Sequence, residues 1–213
     1  TNGKTTTTTL VGEIMKAWKG EEQVFVVGNI GKAYTSECLK TSEKTVTVGE
    51  ISSFQLETIC DFHPAVSAIL NITPDHLNRH HTMGAYVAAK ENITRNQTKQ
   101  DTCVLNYENG YTRDFGDRCP AEVIWFSSAR ELADGYWLSG DKIMRSRDGA
   151  KREVMDIHKD MNLVGICNVE NVMAALAIAE ASGVPEQTTL AVIRGFHAVE
   201  HRIEFVATKN GVD

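Results

Sequence analysis

Short apolar runs, each separated from the next by a helical period, constrain this fold more than any other feature. Residues 24–27 are apolar and end at Gly28; residues 45–48, 66–72 and 102–105 read the same way. Such runs suit strands buried on both faces, and strands that alternate with helices imply a parallel sheet. Helical spacing is expected over 5–18 (Leu10, Val11, Ile14, Met15, Trp18), over 83–98 (Tyr86, Val87, Ala89, Ile93) and over 168–182 (Val169, Val172, Met173, Leu176, Ile178). A further helix is expected within 185–196. Residues 121–160 differ: strand-like pieces at 123–126, 136–138, 142–145 and 153–157 are separated by Ser139-Gly140-Asp141 and Asp148-Gly149 turn signals. The expected class is α/β: a mainly parallel sheet flanked by helices, with a small antiparallel subsheet from about 121 to 160.

Composition narrows the function. With 213 residues the chain can bury a sizeable core. Lys and Arg number 22 against 28 Asp and Glu, a net charge of −6, which argues against general affinity for nucleic acid or anionic membranes. No stretch approaches the roughly 18 apolar residues of a membrane span, and the opening threonines do not read as a signal peptide. The 5 cysteines (Cys38, Cys60, Cys103, Cys119, Cys167) form no CxxC pair, so neither a disulfide scaffold nor a zinc site is expected, and a cytoplasmic location is.

The chain opens Thr1-Asn2-Gly3-Lys4-Thr5-Thr6. This matches the second half of a phosphate loop, G-x-x-x-x-G-K-[ST], and the first glycine would lie before residue 1. The chain is therefore expected to be an excerpt of a longer protein. In such a loop Gly3 lets backbone approach phosphate, Lys4 reaches the β- and γ-phosphates, and the Thr5 hydroxyl ligates Mg²⁺. A chance Gly-Lys-Thr turn is the alternative. The threonines at 5–9 form helices poorly, so their place at a helix start favours a use for their hydroxyls.

Other candidates sit at strand ends, where open α/β sheets place ligand chemistry. Glu50 follows the 45–48 run and suits a Mg²⁺ ligand or an exposed strand end. Ser52-Ser53 suit a helix N-terminus. Residues 71–77, Asn-Ile-Thr-Pro-Asp-His-Leu, close the next run. There His76 reads as a metal or phosphate ligand, or as part of a capping cluster with Thr73 or Asp75 as N-cap. Lys90 taken alone reads as a solvated helical charge. Cys167 reads as a small buried residue, and Arg202 as a phosphate contact or a surface salt bridge.

Together these segments resemble the Mur ligase family of ATP-dependent amide ligases. The resemblance is carried by residues 1–7, Gly28-Asn29-Ile30-Gly31, residues 50–57, residues 71–77, Tyr86 to Lys90, Asn168-Val169-Glu170-Asn171 and His201-Arg202-Ile203-Glu204. Family members have a UDP-sugar domain, a central ATPase and a C-terminal amino-acid domain; residues 1–213 resemble the central one alone. The 50–57 and 71–77 segments point to the member that joins D-glutamate to UDP-N-acetylmuramoyl-L-alanine through an acyl phosphate. The resemblance implies that Gly3, Lys4, Thr5 and Thr6 bind ATP phosphates, with Lys4, His76 and Lys90 catalytic. Thr5 and Glu50 would hold one Mg²⁺, and His76 with a carbamylated Lys90 a second. Asn29 becomes a substrate contact, Asn168 and Asn171 adenine-side contacts, and Arg202 a phosphate contact. It further implies a cytoplasmic monomer with no nucleic-acid partner and no membrane insertion. Three positions depart from the family pattern: Cys167 for His, Ala33 for Pro and Asn78 for Asp. The alternatives are another Mur or folylpolyglutamate-type ligase, a P-loop ATPase switch, or a nucleotide-binding module without chemistry of its own. A switch should carry a water-orienting Gln or an Arg finger; a ligase needs an acceptor-amine site.

Overall fold

The computed structural model describes residues 2–197. Two strands, β1 (Val24–Gly28) and β2 (Val46–Glu50), pair in parallel. A second sheet runs in the order β3 (Val66–Ile69), β4 (Thr102–Asn106), β5 (Glu122–Ser127), β6 (Gly135–Ser139), β7 (Lys142–Arg147) and β8 (Ala150–Asp156). Its members are parallel from β3 to β6 and antiparallel from β6 to β8.

The expected α/β class holds, with one correction to its boundary. The 123–126 piece belongs to the parallel part: β5 lies between β4 and β6 and is parallel to both. The antiparallel part begins only at Gly135, and it prolongs the same sheet. The unbroken apolar run of β5, Val123 to Phe126, is that of a strand in a parallel sheet covered on both faces.

Helix α1 (Lys4–Lys19) starts the described chain, and α8 (Ile166–Ala181) lies beside it. Helix α8 packs across β3 to β6, and α1 packs on β1 and β2 as well as on α8 and α9 (Glu186–Gly195). One core joins Leu10, Ile14, Val104, Phe126, Val172 and Met173. The other face of the second sheet carries Cys103, Leu105, Ile69 and Phe115 with Tyr86 and Val87. Strand β4 thus feeds both cores by alternation, Val104 to one and Cys103 and Leu105 to the other.

Gly12 sets how closely α1 lies on β1. A Cβ there would come within 2.6 Å of Val26 Cγ2. In the last turn of α8, Glu180 ties the antiparallel strands to the helix. It accepts a bidentate pair from Arg145, at 2.7 and 2.8 Å, and the Tyr136 hydroxyl at 2.6 Å. Burial works to raise the Glu180 pKa, but the Arg145 and Tyr136 hydrogen bonds and the Arg145 charge outweigh it and leave it lowered.

The helix expected over 83–98 is shorter: α5 spans Met83–Glu91 and ends in a single 3₁₀ turn, Asn92–Thr94. Four-residue helices α2 (Tyr34–Glu37), α3 (Ser53–Leu56), α4 (Leu77–His80) and α7 (Ile157–Asp160) and the seven-residue α6 (Gly110–Gly116) fill the connections. Among the described residues no helix is long and apolar enough to cross a membrane.

Candidate active site

The start of α1 faces the C-terminal ends of β1 and β2. Gly3, at φ 85, is the left-handed N-cap of α1, which aims the first free N–H groups of the helix out of its end. A Cβ on Gly3 would collide with Asn171 Oδ1, so the turn requires glycine twice over, for its angle and for its space. The turn is also held from outside the helix. Asn2 N–H donates to Asn71 Oδ1 at 2.9 Å, and Asn71 Nδ2 returns a bond to Asn2 O at 3.0 Å.

The next contact reaches the sheet. Thr5 Oγ1 donates to Glu50 Oε2 at 2.9 Å. Glu50 is only 4% exposed, and its other oxygen accepts from Asn29 Nδ2 at 3.1 Å. The Asn29 N–H also donates to Glu50 O at 2.7 Å. The expected substrate residue Asn29 and the expected metal residues Thr5 and Glu50 therefore share one hydrogen-bonded group.

His76 and Lys90 belong to a neighbouring aromatic group. The His76 ring meets Phe54 at 5.0 Å and Tyr86 at 6.4 Å, and Lys90 Nζ lies 4.8 Å from the Tyr86 ring centre. Asp75 lies beside His76, at 3.4 Å between Oδ2 and Nε2. Burial of Lys90, then the Lys4 charge, push its pKa down to about 8 against the opposing pull of Asp75. Lys4, Lys90 and Asp75 thus act on one another electrostatically, which joins the aromatic group to the start of α1. His76 is itself the left-handed N-cap of α4, at φ 53, and Asp75 Oδ1 accepts its N–H. The side-chain cap expected from Thr73 or Asp75 is not how α4 begins.

Thr6 is buried on α1. Asn168 and Asn171 are buried on α8 and bonded inward: Thr7 Oγ1 donates to Asn171 Oδ1, Asn171 Nδ2 to Asn168 Oδ1, and Asn168 Nδ2 to Val164 O. They brace the glycine turn against α8. Cys167, read above as buried, is exposed in the first turn of that helix. Arg202 lies outside the described residues. Sequence reasoning gave no role to Asn71 in holding the turn; its only signal was a polar residue closing an apolar run.

The oxygen donors fit a hard divalent cation such as Mg²⁺. Thr5 and Glu50 offer two adjacent oxygens, and Mg²⁺ typically takes few protein ligands and completes its shell with water and phosphate. Among the described residues no three or more His, Cys, Asp or Glu side chains gather as a metal cage. The Lys90 ammonium cannot itself ligate a cation; its lowered pKa favours the neutral amine that a carbamate requires.

The family model of the Mur ligase middle domain matches residues 1–179. The chain belongs to the Mur ligase family. Over all 213 residues it is 57% identical to the UDP-N-acetylmuramoylalanine–D-glutamate ligase of Lachnospira eligens and 46% identical to that of Clostridioides difficile. It covers 47% and 46% of those two proteins, so it spans about half the length of the curated relatives it matches. Solved Mur ligases share its fold. One is a UDP-N-acetylmuramoyl-L-alanyl-D-glutamate–2,6-diaminopimelate ligase, with TM-score 0.71 and 21% identity over 98% of this chain and 47% of that one. Another is the Acinetobacter baumannii UDP-N-acetylmuramoylalanyl-D-glutamyl-2,6-diaminopimelate–D-alanyl-D-alanyl ligase, with TM-score 0.69 and 16% identity over 99% of this chain and 47% of that one.

Proposed function

We propose that this chain is the central ATP-binding domain of a cytoplasmic, monomeric ligase that joins D-glutamate to UDP-N-acetylmuramoyl-L-alanine. Flanking UDP-sugar and amino-acid domains would complete it. The Thr5–Glu50 contact carries the reading, because it sets a phosphate-loop hydroxyl against a buried carboxylate at a strand end. The names of its relatives support the choice of substrates.

A carboxylate is a poor acyl donor because oxide is a poor leaving group. Attack of the L-alanyl carboxylate on the γ-phosphorus of ATP expels ADP and gives an acyl phosphate. The D-glutamate amine then attacks the acyl carbon, the tetrahedral adduct expels phosphate, and the nitrogen loses a proton. In this reading the Gly3 turn and Thr6 cradle the phosphates, and Lys4 offsets charge on the transferring group. Thr5 and Glu50 would hold one Mg²⁺, and His76 with carbamylated Lys90 a second. Bound there, Mg²⁺ would supply charge neutralisation at the phosphoryl oxygens. Asn29 orients the acyl substrate, Asn168 and Asn171 lie on the adenine side, and Arg202 contacts phosphate.

Phosphate release by the full-length enzyme tests this. Release should need ATP, UDP-N-acetylmuramoyl-L-alanine and D-glutamate together. Equal release without the UDP-sugar would instead identify a plain ATPase.

A further inference from the structure

Beside the His76 group, two buried side chains, Ser53 and His80, meet the more exposed Glu57. Ser53 Oγ is 3.0 Å from His80 Nε2, and His80 Nδ1 is 3.1 Å from Glu57 Oε1. The other Glu57 oxygen accepts from Arg79 at 2.7 Å, and this bond holds the carboxyl below its ordinary pKa. The His80–Glu57 contact is one of charge rather than a hydrogen bond, and a carboxylate facing Nδ1 favours the proton on that nitrogen. In the neutral ring Nε2 is then the acceptor, and the Ser53 hydroxyl donates to it.

The connectivity is that of a nucleophilic Ser–His–acid triad. Its burial excludes that use: Ser53 is 3% exposed and His80 5%. The placement of the three residues gives another role. Ser53 opens α3, three residues after Glu50. His80 closes α4, the single turn that begins at His76. That turn lies between two residues with positive φ, the left-handed His76 at φ 53 and His81 at φ 65, angles that L-residues disfavour. Four residues with two such ends need support from outside. The His80 ring supplies it, stacked on Phe54 at 5.5 Å and 15° and meeting Tyr86 at 5.1 Å. These are the same two rings that flank His76.

We propose that His80 is a positioning residue: the Ser53–His80–Glu57 relay locks α4 onto α3 and thereby fixes the His76 ring relative to Glu50 and Lys90. The proposal rests on the reading of His76 as a site residue of the ligase.

The test uses the full-length ligase. Ser53→Ala removes one end of the relay and Glu57→Ala the other, whereas Glu57→Gln keeps an oxygen for the Nδ1 proton. Histidine-ring NMR, recorded without nucleotide or Mg²⁺, reports where His76 sits. Its ring signals should shift, and its NOE contacts to Phe54 and Tyr86 weaken, in both alanine variants but not in Glu57→Gln. Ligation kcat should fall about 10-fold or more in the same two variants, with KM for ATP within about twofold. Unchanged His76 signals, or unchanged kcat, in the alanine variants would overturn the proposal. If Ser53→Ala does not fold, Glu57→Ala decides alone, since that side chain is 28% exposed. Wild-type enzyme that releases phosphate without the UDP-sugar refutes the ligase reading instead, and the His76 spectra then decide the relay by themselves.

Discussion

The Thr5 hydroxyl and the Glu50 carboxylate lie 2.9 Å apart although 45 residues separate them in the chain. That bond joins the first turn of α1 to the end of β2, and it gives the first prediction. Thr5→Val and Glu50→Gln in the full-length ligase should each raise the half-saturating Mg²⁺ concentration on the order of 10–100-fold. Titrating Mg²⁺ at saturating ATP measures this. An unchanged Mg²⁺ requirement in both variants would remove the pair from the metal site.

Lys90 should take up CO₂ around its lowered pKa of about 8 rather than near the ordinary value of 10.5. Only the neutral amine attacks CO₂, so ¹³C-carbamate signal from labelled bicarbonate should rise through that pH and vanish in Lys90→Met. Linkage fixes a second sign. Between about 8 and 10.5 the unfolded chain holds more protons at this site than the folded one. This site therefore adds stability as pH rises through that window, and below it the cost of the buried charge is full and constant. Lys90→Met should flatten that rise in denaturant titrations.

Cys167 tests the adenine side. It is exposed in the first turn of α8, next to Asn168. In a Cys38→Ser, Cys60→Ser background, a maleimide should label it readily, and ATP should slow the labelling severalfold. Labelling indifferent to saturating ATP would place the adenine elsewhere.

Arg145 tests the fold apart from the site. Arg145→Met takes the bidentate partner from the Glu180 carboxylate in α8, which keeps Arg147 and Tyr136, a change expected to cost roughly 1.5–3 kcal/mol in urea unfolding. The Glu180 pKa is lowered in the folded state. Its contribution is thus present above its unfolded pKa and is lost as pH falls through the folded one. The difference between variant and wild type should shrink in acid, with ATP affinity unchanged at neutral pH.

The parallel strands and long helices were legible because each repeats a period over enough residues to be counted. The start of α3 was legible too, because Ser52-Ser53 mark a helix N-terminus and Ser52 caps it; α4 was not, since four residues hold barely one turn, and α6 carries only Asn109 and its terminal glycines as signals. The direction of β5 was misassigned for a different reason: the unbroken apolar run Val123 to Phe126 fits a parallel strand, but the turn signals from Ser139 on grouped it with the antiparallel pieces that follow. In the candidate site, the sequence points to Lys4, Thr5 and Glu50 by motif and by strand end. The bracing of Gly3 by Asn171, or of His76 through His80, depends on which buried polar atom meets which across the packed elements. No local pattern records that.

Gly12 has a consequence seven residues away. Helix α1 is a stiff rod, and Thr5 lies on it about 10 Å from Gly12 toward the N-terminus. Val26 beneath Gly12 acts as the fulcrum of that rod. A methyl group inserted there would tilt or lift its tip, and a 2.9 Å hydrogen bond does not survive a displacement of an ångström. The span across which Thr5 meets Glu50 is thus calibrated by the absence of one carbon atom at a position that touches neither residue.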